Sequence, residues 1–261
     1  FLAFLALIIF CLMASSLYQI NDLIDINSDK KHPVKKFRPI AAGKIKRKYA
    51  FLSSLILFIL SLSIALNLNF QLFLIVGIYG VIQILYCLKF KNEPIIDIFC
   101  ISSGFLLRSS AGGLAAKLYI SPWFYLTVGL LSLFLAIEKR KAELRTINET
   151  GEITRVVLRK YSLPLLLRFE NIVASGSFIT YALWSAGPAL GGAPTSLMLI
   201  TVPIVLIGIF RYQLLSDPSI NAKNDLNVEN PVNILIYDKG MRTIILLWFF
   251  ITFLIGLFTE L

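Results

Sequence analysis

One histidine, His32, and three cysteines, Cys11, Cys87 and Cys100, are all that the sequence offers in imidazoles and thiols. That excludes a histidine-rich metal site and argues against a Ser–His–Asp relay. The cysteines all fall within apolar runs and are odd in number, so they read as small buried side chains, not as disulfides or metal ligands. Acids are scarce as well: 15 Asp and Glu face 25 Lys and Arg, for a net charge of +10. The basic stretches carry little aromatic interleaving, so nucleic acid is a poor account of that charge. No Met or charged n-region precedes the first apolar run, which is therefore not read as a signal peptide. The chain reads as one whose start is missing, with a further span upstream.

Apolar residues are abundant, at 57% of the sequence and a mean hydropathy of +0.78. Soluble domains seldom reach such values. Runs near the length that crosses a bilayer recur at 1–20, 50–67, 70–88, 95–115, 121–138, 169–187, 195–212 and 243–260, which predicts eight spans. A spanning segment must be a helix or part of a closed barrel. These runs are too long and too uniformly apolar for barrel strands, so the chain is expected to be an all-α polytopic membrane protein. All Lys and Arg except Arg108 and Lys117 lie in four segments, 30–48, 89–91, 139–168 and 211–242. These are every second connection, and the positive-inside rule puts them in the cytoplasm.

The stretch NDLIDINSD at 21–29 closes the first run with three carboxylates. If the helix continues, Asn21, Asp25 and Asp29 stand four apart, with Asp22 three before Asp25, and all four share one face. Like charges at that spacing repel, and the helix C-terminus disfavours anions. A cation resolves both conflicts. Hard oxygen donors suit Mg²⁺, which takes one or two carboxylates and completes its shell with water and phosphate. The bland reading is a solvated helix end balanced by Lys30, Lys31, Lys35 and Lys36. The basic segment that follows favours the metal face, since Lys35, Lys36 and Arg38 can hold phosphate oxygens that the metal also touches.

NDLIDINSD, of the form NDxxDxxxD and running on into RPIAAG, resembles the first signature of the UbiA superfamily of intramembrane prenyltransferases. The resemblance implies a UbiA-type helical bundle of nine transmembrane helices around a central cavity, with about eight present here in a single domain over 1–261. It also implies that Asp22, Asp25 and Asp29 hold Mg²⁺ against a substrate diphosphate, with Asn21 orienting them. The run DKKHPVKKFRPIAAGKI, with residues 85–117, 132–145 and 161–169, is similar to the branch that moves phosphoribose onto a polyprenyl phosphate. A prenyl-transferring member normally carries a second acidic motif where this sequence has EKRKAEL. The branch implies phosphoribosyl diphosphate as donor and a decaprenyl-type phosphate as acceptor. It further implies a plasma-membrane enzyme facing the cytoplasm and a step toward lipid-linked arabinose donors for cell-envelope glycans. A homo-oligomer stays open.

Substrate contacts are expected from Lys35, Lys36, Arg38, Tyr86, Lys89, Arg108, Lys139, Arg140 and Glu143. Lys91 and Asp97 are expected near the same mouth. Arg108 lies deep in an apolar run, where a charge is a functional-site hypothesis by default, and is read as a phosphate contact. Its structural alternatives are snorkelling and a pair with Asp97, but Asp97 is some three turns away. Lys139 and Glu143, four apart, could instead form a simple helix-end ion pair. The segment 211–242 is long for an inert connection and is a candidate lid. Asp238 and Arg211 within it are marginal site candidates. Two other readings stay open. One is prenyl transfer from a prenyl diphosphate to an aromatic acceptor, against which EKRKAEL argues. The other is a transporter of phosphorylated small molecules, for which no inverted repeat or Gly/Pro-broken helix pair is seen.

Overall fold

Apolar runs of this length can satisfy their backbone groups only internally, and every predicted span is helical. The computed structural model describes residues 2–30, 35–150, 156–217 and 231–260. The helices are α1 (Leu2–Ile24), α2 (Ile26–Asp29), α3 (Arg47–Leu68), α4 (Phe70–Leu88), α5 (Ile96–Ala116), α6 (Pro122–Thr150), α7 (Leu163–Ser185), α8 (Val202–Ser216), α9 (Pro231–Tyr237) and α10 (Lys239–Glu260). No strand occurs among the described residues. Seven helices are long and apolar enough to cross a bilayer, the α8 span including the 3₁₀ turn Ser196–Thr201 before it. The eighth predicted span, α7, is 23 residues long but carries Arg168, Glu170 and Asn171 in its first half, which lowers its hydropathy.

The chain divides into two compact units, Phe1–Tyr119 and Ile120–Leu261. In the first, α1 packs on α3, α4 and α5. Ala6, Ile9, Phe10, Met13, Ser16 and Leu17 form the buried face of α1, at the spacing of a single helical stripe. The facing positions of α3 are small: Ala50, Ser54, Ser61 and Ala65. Small residues let backbones approach, and hydroxyls then bond across: Ser16 Oγ donates to Ser54 O at 2.7 Å and Ser61 Oγ to Ile9 O at 3.0 Å. Such intramembrane bonds contribute about 0.6 kcal/mol each on average.

In the second unit α6 packs on α7, and α8 on both α7 and α10. α6 has 29 residues and so runs well past the predicted end at 138. The overrun, KRKAELR, consists of good helix formers, and helix propensity carries it beyond the apolar run. Ser162 caps α7 by accepting from Leu165 N, with a proline in the first turn where its missing N–H costs nothing. The turn GPALGG closes back on α7: Ala193 N donates to Trp184 O at 2.7 Å, and a Cβ on Gly192 would stand 2.2 Å from that same oxygen. Tyr181, Thr201 and Trp248 form a hydrogen-bonded chain among three elements, with O···O 2.6 Å and N···O 2.7 Å.

Candidate functional site

α1 ends at Ile24, and the helix does not run unbroken to Asp29. Asp25 breaks it with φ −89° and ψ 6°, and α2 restarts one residue later. Asp25 N still reaches Asn21 O at 2.9 Å and Asp29 N reaches Asp25 O at 2.8 Å, so the expected face is kept through a kink. The next segment folds back on it. Ile40 packs with Ile26, Ala50 and Leu23, and Ala41 is buried as well. The apolar part of RPIAAG thus anchors the turn that carries Arg38. Gly43, at φ +76°, completes that turn, Ala42 N bonding to Arg38 O at 2.8 Å.

Arg38 Nη1 donates to Asp22 Oδ1 at 2.7 Å and to Asp29 Oδ2 at 3.0 Å. One nitrogen therefore bridges two carboxylates from two helical segments. Asp29 is buried, while Asp22 and Asp25 are partly exposed. Lys91, in the 3₁₀ turn Phe90–Asn92 after α4, donates to Asp25 Oδ1 at 2.5 Å. Among the described residues no group of three His, Cys, Asp or Glu side chains is placed to hold a metal ion. The expected three-carboxylate ligand set is thus not assembled in this arrangement; Asp22 and Asp29 converge and Asp25 pairs separately. Two convergent hard carboxylates do fit Mg²⁺, which needs no more than that from protein when water and phosphate fill its shell.

The other predicted contacts divide. Lys35 starts the 3₁₀ turn Lys35–Phe37, and Lys36 turns outward over the Phe37 ring at 5.2 Å. Tyr86 is half-buried in the last turn of α4, and Lys89 is the exposed residue that ends it. Asp97 is fully buried at the start of α5. Arg108 is not brought to the carboxylates. Its guanidinium bonds to Tyr79 Oη at 3.1 Å and lies over the Tyr79 and Phe105 rings at 5.4 and 5.3 Å. Tyr79 in turn packs on Phe10, with ring centroids 5.3 Å apart, and Phe10 precedes Asp22 by twelve residues, about 18 Å of helix.

In the second unit Lys139, Arg140 and Glu143, expected as substrate contacts, lie together on α6. Arg140, fully buried, donates to Glu143 Oε2 at 2.5 Å. Three apart, these two are neighbours on one helix face, as their spacing predicts. Lys139 lies half-buried beside them. The sequence reading passed over a buried cluster. Lys141 bonds to Glu138 at 2.7 Å and to Glu170 of α7, and Gln213 of α8 donates to Glu170 Oε1 at 2.8 Å. Glu170, with Arg168 and Asn171 at the start of a predicted span, was the signal for it. Arg145 caps the end of α8 by donating to Ser216 O at 2.5 Å. Arg211 and Asp238 hold each other in a fork, at 2.7 and 3.0 Å. The guanidinium, with help from Met241 N, holds the Asp238 carboxyl below the usual carboxylate range. The central part of the candidate lid, 218–230, and His32 lie outside the described residues.

The sequence profile of the UbiA prenyltransferase family matches residues 1–227. A decaprenyl-phosphate phosphoribosyltransferase of Mycolicibacterium smegmatis is 34% identical to the chain, covering 93% of it and 76% of the relative. The Mycobacterium tuberculosis protein of the same name is 32% identical over 94% of this chain and 78% of its own. Among solved structures, a UbiA homologue from Archaeoglobus fulgidus bound to DMAPP and Mg²⁺ superposes with TM-score 0.73 at 20% identity, covering 97% of this chain and 86% of that one. At that identity the likeness concerns the fold.

Proposed function

The chain belongs to the UbiA prenyltransferase family, and on that premise we propose that this multi-pass membrane enzyme moves 5-phosphoribose from phosphoribosyl diphosphate to a decaprenyl-type polyprenyl phosphate. The observation that carries the reading is the similarity, over more than nine-tenths of the chain, to relatives named for that activity. The basic EKRKAEL segment, where a prenyl-transferring member has acids, agrees with it.

Asp22 and Asp29 are the proposed Mg²⁺ ligands, with Asp25 beside them and Asn21 holding the kink through its carbonyl. When bound, the ion supplies neutralisation of the charge that develops on the departing diphosphate. Arg38, Lys35 and Lys36 then meet phosphate oxygens, Arg38 best, because a guanidinium binds them in a bidentate fork. Tyr86 and Lys89 stand at the next helix end of the same unit. In the second unit Lys139, Arg140 and Glu143 are the proposed substrate contacts, with Glu143 orienting the Arg140 guanidinium and Lys141, Glu138 and Glu170 fixing the helix that carries them.

The bond from ribose C1 to the diphosphate oxygen breaks, and a bond from C1 to an acceptor phosphate oxygen forms. The acceptor oxygen is anionic at neutral pH, so no strong base is needed. Positioning and electrostatics therefore dominate catalysis. The site is proposed to open to the cytoplasm at the plasma membrane, with 1–261 acting as one domain and a step toward arabinose donors for cell-envelope glycans as its place. Detergent-solubilised protein incubated with labelled phosphoribosyl diphosphate, Mg²⁺ and a polyprenyl phosphate should yield a labelled lipid. Transfer from prenyl diphosphate to an aromatic acid, with no labelled phosphoribosyl lipid, would overturn the reading.

A further inference from the structure

The bridging of Asp22 and Asp29 by one Arg38 nitrogen, with Lys91 on Asp25, leaves every acid of the proposed metal face held by a cation of the chain itself. We infer that Arg38, supported by Lys91, is a resident cation that keeps a divalent metal off these carboxylates until a diphosphate arrives, so that metal and diphosphate bind as a coupled pair. The inference rests on the reading of this face as the metal and diphosphate site.

The exposures of the partners give the reason. The Asp29 side chain is 4% exposed, whereas that of Arg38 is 38% exposed. A buried carboxylate stripped of its cation is strongly destabilising, so Arg38 leaves only when another positive charge replaces it. A metal ion arriving alone can replace it, but it then faces the displaced guanidinium and the Lys91 ammonium at short range, and like charges there repel. A diphosphate removes that conflict. It offers the guanidinium a bidentate partner at the exposed rim while its own oxygens complete the metal's shell. Arg38 thus exchanges one set of anionic oxygens for another, and the acids exchange a guanidinium for the ion. Because the coupling is thermodynamic, each ligand must raise the affinity of the other by the same factor.

The test uses the purified full chain in detergent, with bound Mn²⁺ counted after equilibrium dialysis at buffered free Mn²⁺, and inorganic diphosphate as the second probe. Wild-type protein should bind Mn²⁺ about tenfold more tightly with diphosphate present, the usual scale of such coupling. Arg38→Gln should bind Mn²⁺ alone more tightly than wild type by a similar factor and lose the coupling, while its diphosphate affinity falls. Arg38→Lys, which keeps the charge but not the bridging geometry, should lie between; it also serves if the glutamine variant does not fold, as read by near-ultraviolet circular dichroism. Lys44→Gln removes an exposed charge from the same basic segment and should change neither quantity. Two results would overturn the inference while leaving the enzymatic reading intact: Mn²⁺ binding to Arg38→Gln no tighter than to wild type, or an equal gain in Lys44→Gln. Failure of wild type to retain Mn²⁺ even with diphosphate would instead remove the metal reading beneath it.

Discussion

At the scale of single residues, the chemistry is concentrated in charges that the fold has already paired. Asp25 touches Lys91, 66 positions later in sequence, and both stand at helix ends. Asp25→Asn is expected to lower turnover at least a hundredfold, the order seen when a transition-state charge contact is lost. The thermal melt should stay near that of wild type; unchanged turnover would exclude Asp25 from the site. Lys141 is the opposite case. It lies between Glu138 and Glu170 in the interior, so Lys141→Met strands two carboxylates and should cost about 3–5 kcal/mol, read as a large fall in melting temperature. The acids of NDLIDINSD and the partner loop RPIAAG were legible because their spacing and charge are local. Lys91's grip on Asp25 was not, since nothing in a local pattern gives a contact across that separation. The Tyr79 and Phe105 contacts of Arg108 were not legible, because cation–π contact gives an intramembrane charge an outlet that no charge count foresees.

At the scale of elements, the joints between helices carry most of what the sequence reading missed. The apolar runs predicted where helices lie, because bilayer thickness sets their length. They did not predict where helices stop. α6 runs on through KRKAELR because local propensity and the Arg140–Glu143 pair favour it, and the chain kinks at Asp25 although periodicity runs straight through. The joint before α5 is strained. Ile95, a β-branched residue, sits at φ 70° and ψ −51° directly after Pro94. Such backbone costs about 1–3 kcal/mol, more than the entropic cost of a glycine. Ile95→Gly should therefore stabilise the protein by about 1 kcal/mol; a lower melting temperature would show that the side chain matters more than the strain. At the joint between α9 and α10, Asp238 is clasped by Arg211 and caps Met241 N at 2.6 Å. Its folded pKa lies below the unfolded value of about 3.9, so its contribution is full above that pH and lost as pH falls through the folded value. Acid unfolding of Asp238→Asn should accordingly lack the part of the wild-type pH dependence that falls below about pH 4. Identical slopes in both proteins would remove the clasp's role.

At the scale of the whole molecule, a multi-pass helical membrane protein of the UbiA family was legible from hydropathy, from the alternation of basic and uncharged connections, and from the first signature. The one span that composition undercounts, α7, is the helix that donates Glu170 to the interior cluster, so the polar residue that weakens its hydropathy is the one that locks it in place. The central claim is that the carboxylates closing α1 and forming α2 hold the metal and the departing diphosphate. The most direct measurement is the structure of the full protein in a lipid disc with Mg²⁺ and phosphoribosyl diphosphate bound. The account predicts an ion between Asp22 and Asp29, diphosphate oxygens on that ion, and Arg38 turned from the acids to the phosphate. Donor bound elsewhere, with Arg38 and Lys91 still on the carboxylates and no ion among them, would contradict it.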